Sequence, residues 1–214
     1  MTELERVVAD LVEKAERRFY GKYRGTVIDS DDPSRLGRLK VSVPSVLGQD
    51  VVTGWATPCV PYGGAAGQGF LFIPERGAGV WVEFEEGDLE FPIWVGTFWC
   101  QPGGESQAPK PNAHGGTEMS QVQQPPTRKI IKSAKGHTIQ FEDADDAETI
   151  LVREGRKGHL ITMGRAGIRI VDGAGNSIEM TDSAMTLTAK CAFTIDASGQ
   201  SVTIVADTID LQKG

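Results

Sequence analysis

Over roughly the last third of the chain, from Lys129 to Gly214, one short unit repeats: two apolar residues one position apart, then a small or polar turn. From Ile168 the pairs are Ile168/Ile170, Ile178/Met180, Met185/Leu187, Phe193/Ile195, Val202/Ile204 and Ile209/Leu211. Alternation at period two predicts strands, and its recurrence predicts one strand-and-turn unit stacked many times. Each unit offers one apolar face, and no helical pattern follows that could cover it.

Two arrangements bury such a stripe. A single-chain β-solenoid needs about three strands per coil and would complete only a few coils here, close to the minimum for a repeat array. Alternatively, identical chains wrap round a common axis and cover one another's stripes. Three parallel chains would form a triangular prism with a Thr, Asp, Glu and Ser exterior and no open lateral edges. The expectation is therefore an intertwined trimeric β-helical prism over 128–214. Its core would be Ile168, Ile170, Ile178, Met180, Met185, Leu187, Phe193, Ile195, Val202 and Ile204.

Three further segments precede it. Thr2 and Glu5 have capping-box spacing, and Leu4, Val7, Val8, Leu11, Val12 and Ala15 follow at helical intervals, predicting an amphipathic helix over 3–20 in an N-terminal segment 1–20. Residues 21–100 read as a compact β domain. Tyr23 to Asp29 is a strand, Arg38 to Val43 alternates strictly until Pro44, and Trp55 to Val60 contains Pro58 and so suits a sheet edge. Val80 to Phe84 and Ile93 to Val95 flank an acidic turn. Five short strands with such turns suggest a barrel of the oligonucleotide/oligosaccharide-binding (OB) type. Residues 101–127 hold five prolines and four glycines with almost no large apolar side chains, which predicts a partly extended, mobile linker. The fold class is all-β with one short N-terminal helix.

Composition narrows the function. A net charge of −7 argues against a phosphate-binding surface, and the barrel segment alone carries six Lys/Arg against ten Asp/Glu. No apolar run approaches a membrane span and no signal-peptide core is present, so assembly in the cytoplasm is expected. Cys59, Cys100 and Cys191 match no metal spacing and read as buried thiols of a reducing compartment.

Candidate chemistry is sparse. Glu83, Glu85, Glu86, Asp88 and Glu90 could supply a glycosidase pair only by facing each other across a cleft, whereas their order along a hairpin predicts solvated side chains. Asp143, Asp145 and Glu154 occupy positions 1, 3 and 12 of a calcium loop, but Ala147 and Glu148 break it. His114, His137 and His159 lack close ligand neighbours. The loop Gly63 to Gly69 lacks the Lys-Ser/Thr of a phosphate cradle, and no nucleophile motif appears. The chain is expected not to be an enzyme and to hold no cofactor or metal. A β-helical carbohydrate-binding or polysaccharide-degrading fibre is the alternative, although Phe141 and Phe193 are the only shaft aromatics and both fit inward positions.

GTVIDSDDPSRLGRLKVSVP, Trp55, Gly67-Gln68-Gly69-Phe70, Pro74-Glu75-Arg76-Gly77 and VWVEFEEGDLEFPIWVG together resemble the barrel of phage baseplate assembly protein V. The valine-glycine-repeat (VgrG-like) spikes of type VI secretion and related contractile injection particles share that barrel. Ile131 to Asp143 is similar to the start of their spike shaft. The resemblance implies a homotrimeric central spike in the baseplate of a phage tail or phage-tail-like particle, joining a separate hub protein at the tube end to a needle that pierces the target membrane. Some relatives carry a lysozyme-like domain where only 101–127 lies here, and some carry the hub in the same chain, where here one helix precedes the barrel. Some phage spikes end in an iron-binding His-x-His, which Thr208 to Gly214 lacks. The resemblance therefore implies a tip protein of the proline-alanine-alanine-arginine repeat (PAAR) class docked on Ile209, Asp210, Leu211, Gln212 and Lys213. The exposed last apolar rung agrees with that expectation. Leu4, Val7, Val8 and Leu11 are the corresponding expectation for hub docking.

Overall fold

The computed structural model describes residues 2–16 and 18–213, and the chain divides into two compact units, 1–108 and 109–214. In the first unit α1 spans Glu3–Glu16. Its capping box closes as expected: Thr2 N donates to Glu5 Oε2 at 2.7 Å and Glu5 N to Thr2 Oγ1 at 3.3 Å. The helix stops short of 20 because Phe19 joins the barrel instead. Phe19 packs against the core cluster and donates its N–H to Gly87 O at 2.9 Å.

Strands β1 (Tyr23–Asp29), β2 (Lys40–Ser42), β3 (Thr57–Pro58), β4 (Gly79–Phe84) and β5 (Pro92–Phe98) form one sheet in the order β2-β1-β4-β5-β3. The short helix α2 (Pro44–Leu47) begins at the proline that ends β2. Inward residues of successive strands meet in a core of Val27, Leu39, Val41, Val43, Ala56, Val80, Val82, Phe84 and Trp94. The Trp94 indole N–H finds Gly37 O at 3.1 Å, so its one polar group is satisfied. Register breaks after Val27 and at Trp81/Val82 bend the sheet around this core. The expected third strand shrinks to two residues, since Pro58 has no N–H to extend a ladder. Asp32 knits the turn into β2. Its carboxylate pairs with Arg38 at 2.7 Å and accepts the N–H groups of Ser34 and Leu36.

In the second unit β6 (Arg128–Lys132), β7 (Thr138–Glu142), β8 (Thr149–Arg153), β9 (Leu160–Gly164), β10 (Gly167–Val171), β11 (Ser177–Met180) and β12 (Met185–Thr188) form a seven-stranded sheet in sequence order. Every neighbouring pair is antiparallel. The intertwined coil expected from residue 128 is thus replaced, up to Thr188, by a meander whose strands pair within one chain. The links are short, only 165–166 between β9 and β10, and such links return a chain antiparallel to itself. Among the described residues from 189 to 213 there is no strand, and Phe193, Ile195, Val202, Ile204, Ile209 and Leu211 stand exposed.

Residues 109–127 depart from the expected mobile linker. Asn112 is buried, donates its N–H to Gln140 Oε1 at 2.7 Å, and accepts Gln140 Nε2 at its carbonyl at 2.8 Å. Its side-chain amide donates to Gly116 O at 2.7 Å. Lys132 reaches the Lys110 carbonyl and pairs with Glu118. This stretch caps one face of the meander at β6–β9.

Candidate functional site

The register of the meander sets two continuous apolar rows on one face. The first runs Ile131, Ile139, Val152, Ile161, Ile170, Ile178, Leu187, each directly opposite the next. The second runs Phe141, Ile150, Met163, Ile168, Met180, Met185, with Lys129 at its β6 end. Side chains on one face of antiparallel neighbours contact across the ladder, so these rows form one apolar surface. Of the expected core residues, Ile168, Met180 and Met185 fall in one row and Ile170, Ile178 and Leu187 in the other. Phe193, Ile195, Val202 and Ile204 belong to no strand.

Burial in the meander is inverted. On β7, Thr138, Gln140 and Glu142 are buried, whereas Ile139 and Phe141 between them are 40 % exposed. Ile150 and Val152 are likewise open, while Leu151 between them is 1 % exposed. The polar face is the one the chain covers, with residues 109–127; the apolar face has no cover among the described residues. Isolated exposed apolar side chains need no explanation, but two rows across seven strands form a patch of the kind that marks an interaction surface.

The covered face is held by charge. Glu142 pairs with Arg128 at 2.7 Å, takes a hydrogen bond from the Thr127 hydroxyl, and accepts Ala144 N at 3.1 Å. Burial alone would raise its pKa, but these donors and the Arg128 charge together hold it below the usual carboxylate range. Glu118 is lowered chiefly by its hydrogen bond from Lys132. In the barrel, Arg38 holds Asp32 far below that range.

The other candidates are dispersed. Glu83 pairs with Lys22 and Asp88 with Arg18 at 3.0 Å, so the acidic hairpin faces basic side chains and solvent rather than a cleft. Asp143 and Glu154 sit at opposite ends of β8, too far apart for one calcium loop. His137 and His159 instead accept backbone N–H groups at Nδ1, from Gly155 at 3.2 Å and Gly173 at 3.1 Å. The three cysteines are exposed, not buried as expected. Among the described residues no three His, Cys, Asp or Glu side chains gather as metal ligands, and no helix is long and apolar enough to cross a membrane. Leu4, Val7 and Val8 are exposed on α1; the side chain of Leu11 lies outside the described residues. Ile209 to Lys213 are exposed and outside any strand.

The parts of the two rows before Ile168 were not among the core residues expected from the sequence. Their signal was present: Ile131, Ile139/Phe141, Ile150/Val152 and Ile161/Met163 keep the same one-apart spacing.

Residues 23–99 match the family model described as the type VI secretion system/phage-baseplate injector OB domain, which spans the five-stranded sheet and its core. No curated protein matches the chain.

Proposed function

From the premise that residues 23–99 belong to the injector OB-domain family of type VI secretion systems and phage baseplates, we propose that this chain is the homotrimeric central spike of such a baseplate. A baseplate role follows from the domain itself; the spike role rests on the meander. Three copies bring their sheets together with the apolar rows inward and the segments 109–127 outward. Residues 189–213, with alternating apolar positions and no strand partner in their own chain, wrap round one another below them. The observation that carries this reading is the inverted burial of β7 and β8. A chain that covers Gln140 and leaves Phe141 open keeps its apolar face for another surface.

Mechanically, such a prism has a continuous apolar interior and strands lying across its axis at about 4.8 Å spacing. Its stiffness comes from backbone ladders within each sheet and close packing between sheets, and stiffness is what a membrane-piercing needle requires. A separate hub protein would dock on α1 through Leu4, Val7, Val8 and Leu11. A PAAR-type tip protein would cover the last rung at Ile209, Asp210, Leu211, Gln212 and Lys213. The particle would be assembled in the cytoplasm as part of a phage tail or phage-tail-like injector.

Affinity-tagged protein expressed in its native host tests this directly. Tube-end hub and baseplate proteins should co-purify with it in particle fractions. Recovery without any tail structural protein would overturn the spike reading. Deleting 207–214 should release the tip protein alone, and deleting 2–16 should release the hub alone.

A further inference from the structure

The two lateral rims of the meander carry opposite charge. One rim consists of the turns 133–137, 154–159 and 172–176 and the chain leaving β12. It bears exposed Lys135, Arg156, Lys157 and Lys190. Its two carboxylates are used internally. Glu154 accepts the N–H groups of Arg156, Lys157 and Gly158, and Asp172 accepts those of Ala174 and Asn176. The other rim consists of the turns 143–148, 165–166 and 181–184. It bears exposed Asp143, Asp145, Asp146, Glu148 and Asp182 against Arg165 alone. Lys129 engages Asp143 and Arg165 engages Asp146, which leaves Asp145, Glu148 and Asp182 with no ion pair among the described residues.

The basic rim is also a rigid ladder. Each turn is tied to the next, from Gly155 N to His137 Nδ1, from Gly173 N to His159 Nδ1 and from Lys190 N to Asn176 Oδ1. A Cβ on Gly155 would lie 2.0 Å from Lys135 O, and one on Gly173 2.4 Å from Lys157 O. The turns are therefore stacked in direct contact at a pitch of two strand spacings, about 9.6 Å; the first two carry cations, 172–176 carries none, and Lys190 follows beyond β12.

We infer that the basic rim of one copy docks against the acidic rim of the next, in a closed head-to-tail ring. This rests on the trimer reading above and specifies how its faces join. A meander places turns alternately on its two rims, so the rims are offset by one strand spacing, about 4.8 Å. With three copies at one level, each turn of the acidic rim stands between two turns of its neighbour's basic rim; the middle link, 165–166, bears Arg165 rather than a carboxylate, and the attraction comes from the turns on either side of it. The turn carrying Asp145 and Glu148, between β7 and β8, falls between Lys135 and the Arg156/Lys157 pair. Asp182, between β11 and β12, falls next to Lys190. A heterologous contact of this kind closes when the rotation closes, whereas a two-fold pairing of like rims would put like charges together.

Charge exchange between the rims tests this on the full chain. The variants are D145K/E148K, K135E/R156E/K157E and the combination of all five, with trimer content read by sedimentation at low and high salt. Three interfaces each lose two or three attractive pairs, so each single-rim variant should weaken trimer formation by about a hundredfold or more at low salt. High salt should narrow that gap. The five-residue variant should recover most of the loss, because the opposite charges again face each other. Single-rim variants as trimeric as the unaltered protein, or a combined variant weaker than either, would overturn the rim pairing while leaving the trimer standing. A monomeric unaltered protein would overturn the trimer reading itself.

Discussion

Replacing Ile170 by alanine puts a number on the open apolar face. Ile170 retains 39 % of its exposure and Ile161, directly opposite it, 37 %. Full burial of an isoleucine is worth about 1.5–3 kcal/mol, so the two-fifths still facing water corresponds to about 0.6–1.2 kcal/mol per copy. In the proposed trimer three copies meet at the axis, and Ile170→Ala should then cost about 2–3.5 kcal/mol of association free energy. At about 1.4 kcal/mol per decade, the trimerisation constant falls roughly thirty- to three-hundredfold. Arg169→Ala is the matched control. Arg169 lies next in the same strand on the other face, where it pairs with Glu179 at 2.6 Å. Guanidinium-induced dissociation followed by sedimentation over a hundredfold range of protein concentration separates association from unfolding. The Ile170 variant should show a lower, more concentration-dependent midpoint than the Arg169 variant. Coincident curves would refute the claim that this face is buried between copies.

Other outcomes follow from the same packing. Leu151→Ala removes a side chain already sealed beneath residues 109–127 and should cost about 2–5 kcal/mol per chain, read as a lower unfolding midpoint at any protein concentration. Gln140→Ala takes both hydrogen bonds from Asn112 and should cost about 1–3 kcal/mol, with faster amide exchange confined to the region around 109–127. For pH dependence, the folded-state pKa values of Glu142, Glu118 and Asp32 all lie below their ordinary values. Their contribution is fully present above the ordinary carboxylate range and is lost as pH falls through the folded values. Denaturation midpoints should thus fall on acidification, and Glu142→Gln should flatten that fall. A midpoint that rises on acidification would contradict the assignment.

Much of this was legible because strand periodicity is local. Tyr23–Asp29 and the Lys40–Ser42 strand sit where alternation places them, and the apolar pairs up to Met185/Leu187 fall in register as two rows, while those from Phe193 onward belong to no strand. What was not legible depends on partners distant in sequence. Nothing local in Pro111 or Asn112 announces that they seal the polar face of β7, because that cover is fixed by Gln140, twenty-eight residues on. The expectation of an intertwined coil from residue 128 failed for a related reason. Backbone pairing, not side-chain pattern, distinguishes a coil from a meander. Here the two-residue link Arg165-Ala166 between glycines was the available sign of a hairpin. The cysteines misled because burial was inferred from residue type, and type says little at the rim of a sheet or in a loop.

Solution mass by light scattering after size exclusion tests the central claim most directly. The account predicts a species at three times the 23.0 kDa chain, holding together well below micromolar concentration. A folded species at 23.0 kDa would contradict it, because the apolar rows would then face water in the functional protein.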